Sequence, residues 1–240
     1  MIGPEDWKEV GKKEEWINWV ISIVMLLFIA RTGALLAESW DSLNHLLIYT
    51  YAGTLFLYLL AEKAAYRGSD VKGRQSKKWT RSLLLLFWWV LLIVPVLEHI
   101  FYPHSGFGFY PHLNYNLYPQ HNFAVTVVGA SLALIGTGIR AWSMWTLGKY
   151  FSAHIEIKND HQLIESGPYK FIRHPAYAGN ILQTVGFPLI LNAYFSLGIS
   201  AVLILLFLYR LKLEEEILIR EIKGYEDYTK RTDRLIPKLW

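Results

Sequence analysis

The sequence predicts an all-α fold, a polytopic integral membrane helical bundle of about six transmembrane helices, and three observations carry that reading. Apolar runs recur along the chain, each about as long as one crossing of a hydrocarbon core of about 30 Å requires, about 20 helical residues. Hydrophobic residues make up 53% of the 240, including ten Trp, fifteen Tyr and twelve Phe, and Trp and Tyr collect at membrane interfaces. Lys and Arg crowd some of the segments between the runs and are missing from others.

Taken in order, the N-terminal "MIGPEDWKEVGKKEEW" is mixed in charge and reads as a short interfacial helix, with no small-residue cleavage site to mark a removed signal peptide. The first span is expected over Trp16 to Leu36, the second over His45 to Leu60, the third over Leu83 to Phe101 and the fourth over Phe123 to Leu147. Two closely spaced runs follow, Tyr177 to Leu191 and Tyr194 to Leu211, joined at Asn192 and Ala193 as a tight helical hairpin. Gly186 and Pro188 predict a kinked or partial fifth span. Gly129, Gly136 and Gly138 predict close helix contact along the fourth. The chain divides into residues 1–122, which hold the first three spans and a long loop, and a core over 123–240.

Loop charge orients the bundle, because Lys and Arg near span ends favour the cytoplasmic side. The segment after the second span holds Lys63, Arg67, Lys72, Arg74, Lys77, Lys78 and Arg81, and that after the fourth holds Lys149, Lys158, Lys170 and Arg173. The loop from His99 to Asn122 has no Lys or Arg. Six spans with both termini in the cytoplasm satisfy this pattern, and both polar segments of the core then lie on the cytoplasmic face.

Several functional classes fall away. A chain without cysteine has no disulfides, no thiolate metal ligands and no cysteine nucleophile. A net charge of +4 gives no argument for nucleic acid. His99, His104, His112 and His121 invite a metal reading, but their spacing puts no pair on one helix face and only Glu98 joins them, so no metal is expected. The loop reads as an aromatic belt at the outer interface. Arg31, beside Glu38, and Arg140 lie within spans and are expected to have structural roles near span ends.

The chemistry is carried by "GPYKFIRHPAYAGN", residues 167–180, a polar stretch between two apolar runs. Gly167 and Pro168 make a turn, and Pro175 pushes His174 toward an extended backbone while opening a helix. A helix N-terminus favours an anionic group, and Arg173 adds a bidentate partner for carboxylate or phosphate. His174 and His161 offer hydrogen bonds, and Tyr169 and Tyr177 offer aromatic faces for a flat ring. The same residue types also suit contact with lipid headgroups, and both readings stand on residue type alone. Beyond the last run come Glu214, Glu215 and Glu216. Arg210 and Glu214 share a helix face, as do Lys212 and Glu216. Carboxylates stepped by about 100° cannot share one environment, so at least one turns toward the spans; a solvated charge run is the alternative.

"GPYKFIRHPAYAG" followed by "EEEILIREIKGYEDYTKRTDRLIP" resembles the isoprenylcysteine carboxyl methyltransferase family and related membrane phospholipid methyltransferases, whose pattern is R-H-P-x-Y, a spacer, E-E, and a tail with G-x-x-Y-x-x-Y and R-x-x-P character. The resemblance runs from about Leu147 to Pro237 and includes "LGKYFSAHIEIKNDHQLI". It implies S-adenosylmethionine in a cytoplasmic pocket closed by the C-terminal helices. His161, Leu163, Gly167, Tyr169, Arg173, His174, Pro175 and Tyr177 would line that pocket, with Glu215 and Glu216 at the E-E positions and a register open by one because Glu214 makes a triplet. Arg210 matches a catalytic arginine.

The implied reaction is methylation of a carboxylate on a lipidic or prenylated substrate, with Arg210 as a clamp. For an amine acceptor, as in phospholipid N-methylation, Glu214 would become the general base. Relatives of this fold also resemble NADPH-dependent sterol reductases, although no glycine-rich dinucleotide fingerprint is present. A non-catalytic scaffold or small transporter is a further alternative, which the lack of an internal repeat disfavours.

Overall fold

A computed structural model describes residues 42–66, 74–76, 78–101, 122–152, 155–157 and 162–237. The N-terminal helix, the first span with Arg31 and Glu38, and His104, His112, His121 and His161 lie outside the described residues. Five long helices follow the expected runs: α1 (Ser42–Ala65), α2 (Lys78–Phe101), α3 (Phe123–Leu147), α4 (Pro175–Ile190) and α5 (Leu197–Glu221). A short α6 (Tyr225–Arg231) follows α5. Two three-residue strands, β1 (Arg74–Ser76) and β2 (Ile155–Ile157), pair antiparallel with Gln75 opposite Glu156.

Among the described residues, the windows Ser82–His99 and Phe123–Tyr150 are long and apolar enough to cross a membrane. Helices α1, α2, α3 and α5 turn Leu57, Leu86, Ile135 and Leu205 outward, with Leu205 66% exposed. A bundle clothed in apolar side chains is matched to an apolar surrounding.

Helix α4 is the inner element. Its Gln183, Thr184, Gly186, Phe187 and Ile190 are buried, and Phe187 meets Tyr51, Tyr58 and Trp88 edge to face at centroid distances of 5.7, 6.0 and 6.5 Å. With 16 residues it is about 24 Å long. Gly186 and Pro188 do not break it. Pro188 lies in the last turn and cannot donate to the carbonyl four residues earlier. Ser200 Oγ of α5 donates to that carbonyl, Thr184 O, at 2.7 Å.

Small residues set the α3–α4 spacing. A Cβ on Gly136 would come within 2.5 Å of Gly179 O, and one on Gly186 within 2.6 Å of Ala133 N. A Cβ on Gly129 would come as close, within 2.6 Å of Ile190 N. Gly138 departs from expectation: it lies on another face of α3, with nothing within 4 Å of its would-be Cβ.

Away from the site, the α4–α5 hairpin is pinned by polar groups. Asn192 adopts φ 55°, its Nδ2 donates to Thr126 Oγ1 at 2.9 Å, and its Oδ1 accepts from Asn122 N at 2.9 Å. Glu98 accepts from Phe195 N, Ser196 N and Ser196 Oγ at 3.0, 2.9 and 2.6 Å. His99 Nδ1 lies 3.1 Å from Leu191 O. Glu98 and His99 therefore serve the hairpin. At the opposite end, Arg140 pairs with Glu62 of α1 through Nε and Nη2, the structural role expected of it.

Candidate active site

Gly167 begins the site with a φ of +57°. That value favours glycine, and a Cβ there would meet Thr146 Oγ1 at 2.8 Å. Pro168 and Tyr169 continue as a 3-10 turn over Gly167–Lys170. The chain then runs alongside the C-terminal tail. Ile172 forms a parallel bridge with Asp233, Arg173 N donates to Asp233 O at 2.8 Å, and His174 N donates to Arg234 O at 3.0 Å. His174 has φ −126° and ψ 57°. It avoids the helical region, as a residue before proline should, but is not fully extended, because its carbonyl already accepts from Ala178 N at 3.1 Å to start α4.

Arg173, His174 and Glu215 converge. Glu215, 4% exposed, accepts from Arg173 Nε at 2.7 Å through Oε1 and pairs with Arg234 Nε at 2.8 Å through Oε2. His174 Nε2 stands 3.3 Å from Oε1, without hydrogen-bond alignment. Arg173 Nη1 also donates to Thr229 O at 3.1 Å and to Thr232 O. Burial pushes the Glu215 carboxyl up, but His174 and Arg173, by contact and by charge, hold it down at about 2. Glu215 is therefore an anion at neutral pH and ties the motif to α5 and the tail.

One position earlier, a second chain of contacts forms. Tyr177 Oη donates to Glu214 Oε2 at 2.6 Å and accepts from Arg210 Nε at 3.1 Å. Arg210 is buried at 6% exposure. The Tyr177 ring stands edge-on to His174 and Phe207, at centroid distances of 5.8 and 5.9 Å. Two carboxylates adjacent in sequence thus serve two neighbouring polar groups: Glu215 secures the loop, and Glu214 faces Tyr177 and Arg210.

Glu216, expected at the second E-E position, is exposed and outside both groups. A further step of about 100° turns it away from α4, and the carboxylates that meet the motif are those of half-buried Glu214 and buried Glu215. Leu163 packs against Ile222, Tyr225 and Tyr228. The Tyr169 carbonyl accepts from Tyr228 Oη at 2.5 Å. Burial raises the Tyr169 phenol and pushes that of Tyr228 up to about 12.

Sequence reasoning singled out neither Arg234 nor Tyr228. Both lie in the stretch "GYEDYTKRTDRLIP", whose tail pattern was legible while the partners of its side chains were not. Glu165 and Arg231 add a clamp between the loop before the motif and α6 at 2.6 Å.

These features define a helical bundle of membrane type with a charged, partly buried site at one end of its inner helix. Residues 127–220 match the model of the Isoprenylcysteine carboxyl methyltransferase (ICMT) family. A probable protein-S-isoprenylcysteine O-methyltransferase from Oryza sativa subsp. indica is 33% identical over 118 residues, 47% of this chain and 61% of the relative. The protein-S-isoprenylcysteine O-methyltransferase of Schizosaccharomyces pombe is 30% identical over 157 residues, 62% of this chain and 66% of the relative. Other names also occur among relatives: the nickel-cobalt-cadmium resistance protein NccN of Alcaligenes xylosoxydans xylosoxydans is 30% identical over 114 residues, 45% of this chain and 52% of that one. The chain thus spans about three fifths of the rice relative's length. Among solved structures, the eukaryotic intramembrane Ras methyltransferase ICMT without a monobody superposes with a TM-score of 0.55 at 18% identity, covering 92% of this chain and 86% of that one. This likeness is one of fold.

Proposed function

We propose that the protein is an integral membrane methyltransferase that uses S-adenosylmethionine to methylate a carboxylate on a lipidic or prenylated substrate. The observation that carries this reading is the Arg210–Tyr177–Glu214 chain placed beside the Arg173–Glu215–Arg234 cluster. The names of the relatives support the same chemistry.

The donor set fits the cofactor. S-adenosylmethionine is a sulfonium with an ammonium and a carboxylate, and the site offers an acid and a guanidinium on one face, with buried His174 Nε2 lacking a hydrogen bond among the described residues. Leu163, Tyr169, His174 and Tyr177 would hold it, with His161 and Gly167 on the same segment. When bound, it supplies a methyl group that an acceptor oxygen takes as the C–S bond breaks and its electron pair returns to sulfur. Charge is annihilated in that step, which a water-poor site favours.

An acceptor carboxylate with a pKa of about 4 needs no base at neutral pH, only positioning. Arg210 is the clamp for it. The Tyr177 hydroxyl accepts from the Arg210 guanidinium and donates to Glu214, and so fixes the clamp. Arg173 and Glu215 act a step away, fixing the backbone on which His174 and Tyr177 stand. Arg173 is thus assigned to loop support.

Six crossings with cytoplasmic termini and a cytoplasmic site complete the reading. The pairing of β1 with β2 supports it: the segments after α1 and after α3, both rich in Lys and Arg, lie at one end of the bundle. The acceptor's lipid tail enters from the membrane at that boundary.

Titration with S-adenosylhomocysteine and with NADPH tests the donor: binding of NADPH alone would overturn the reading. Methyl-labelled cofactor with lipid extract or an S-prenylated cysteine tests the acceptor. Label in base-labile esters is expected; label in stable N-methyl groups would instead make Glu214 the base of an amine methyltransferase.

A further inference from the structure

Tyr225 opens α6 and is 4% exposed. It lies against Tyr228, with ring centroids 5.6 Å apart, in the apolar cluster that also takes Leu163. Among the described residues, nothing accepts from or donates to its hydroxyl. A buried hydroxyl with no partner is costly, and native structures rarely leave one so. The neighbouring Tyr228 makes the contrast: its hydroxyl donates to Tyr169 O at 2.5 Å.

The surroundings are those of the site. Glu214, Glu215 and Arg173 all act electrostatically on the Tyr225 phenol, and burial together with the two carboxylates raises it, so the hydroxyl keeps its proton at neutral pH. Leu163, packed against the same cluster, belongs to the segment assigned to the cofactor. We propose that the Tyr225 hydroxyl is a further cofactor-binding group, which completes its hydrogen bonding on a polar atom of the S-adenosyl ligand. This inference rests on the methyltransferase reading. It adds to it a contact from α6, so that the helix after α5 contributes to binding as well as to packing.

Stability and binding should respond differently at Tyr225, because its hydroxyl has no hydrogen-bond partner among the described residues. Tyr225→Phe removes an oxygen with no partner and should leave the ligand-free melting temperature unchanged or raise it. The same substitution should weaken S-adenosylhomocysteine binding, measured by calorimetry on the full-length protein in detergent, by about fivefold, the size of one hydrogen bond. The ligand-induced rise in melting temperature should shrink in parallel. Unchanged affinity in Tyr225→Phe would overturn the proposal, as would a lower ligand-free melting temperature with the ligand-induced rise intact, the signature of a merely structural tyrosine. Failure of the wild-type protein to bind S-adenosylhomocysteine would count against the methyltransferase reading itself, and is distinct from either result. Tyr228→Phe is the control, expected to lower the ligand-free melting temperature because it strips the Tyr169 carbonyl of its donor.

Discussion

Tyr177 and Glu214 are joined by a hydrogen bond of 2.6 Å that crosses from the first turn of α4 to α5. The same phenolic oxygen accepts from Arg210, so one hydroxyl sets the relative position of an acid and a guanidinium on successive turns of α5. A hydroxyl that both donates and accepts suits this place, because neither neighbour can satisfy the other through it if the oxygen is removed.

Arg210→Ala should leave S-adenosylhomocysteine affinity within about twofold of wild type and lower kcat by about a hundredfold, the scale of losing an electrostatic contact made in the transition state. Single-turnover kinetics at saturating acceptor checks this. Normal turnover would remove Arg210 from the chemistry.

Glu215→Gln should lower stability above about pH 5, by about 3 kcal/mol from the depression of its carboxyl from 4.5 to about 2. The sign follows from a folded value below the unfolded one: the stabilisation is complete above 4.5 and lost as pH falls through 2. Melting curves of wild type and variant should therefore lie apart at pH 7 and converge between about pH 4.5 and 2.

The two guanidiniums on Glu215 should differ in weight. Arg173, 8% exposed in its side chain, also closes the carbonyls of Thr229 and Thr232, and Arg173→Ala leaves buried groups unpaired at a cost of about 3 kcal/mol or more. Arg234 is 37% exposed in its side chain, and Arg234→Ala should cost about 1 kcal/mol. Comparison of the two melting temperatures decides the order.

Gly136→Ala should destabilise by about 1–3 kcal/mol through overpacking, since its methyl would press on Gly179 O at 2.5 Å. Gly138→Ala should be neutral or stabilising by up to about 1 kcal/mol from helix propensity. Equal effects of the two would contradict the close α3–α4 crossing.

Much of this was legible in the sequence, for reasons of scale. The apolar runs give α1 to α5 because each is long enough to be specified by hydrophobicity alone, and Asn192 marks the hairpin because few residues other than glycine adopt its φ. Gly136 and Gly138 could not be told apart: two residues apart on a helix, they face in different directions, and only the neighbour's position decides which is packed. The acid register had the same ambiguity, because which carboxylates meet Tyr177 and Arg173, here Glu214 and Glu215, depends on how α5 is turned. Three-residue strands carry no periodicity to read. Arg234 was hidden because its partner lies on another element.

The bridge between Ile172 and Asp233 is directional. The motif supplies both amide donors, Arg173 N and His174 N, and the tail supplies both carbonyl acceptors, Asp233 O and Arg234 O. Proline at 173 or 174 would delete a donor, whereas proline at 233 keeps the carbonyl that is used. The tail is recognised there through its main chain, so the seam is read as a backbone register: shifting the tail by one residue would move both acceptors off the donors of the motif.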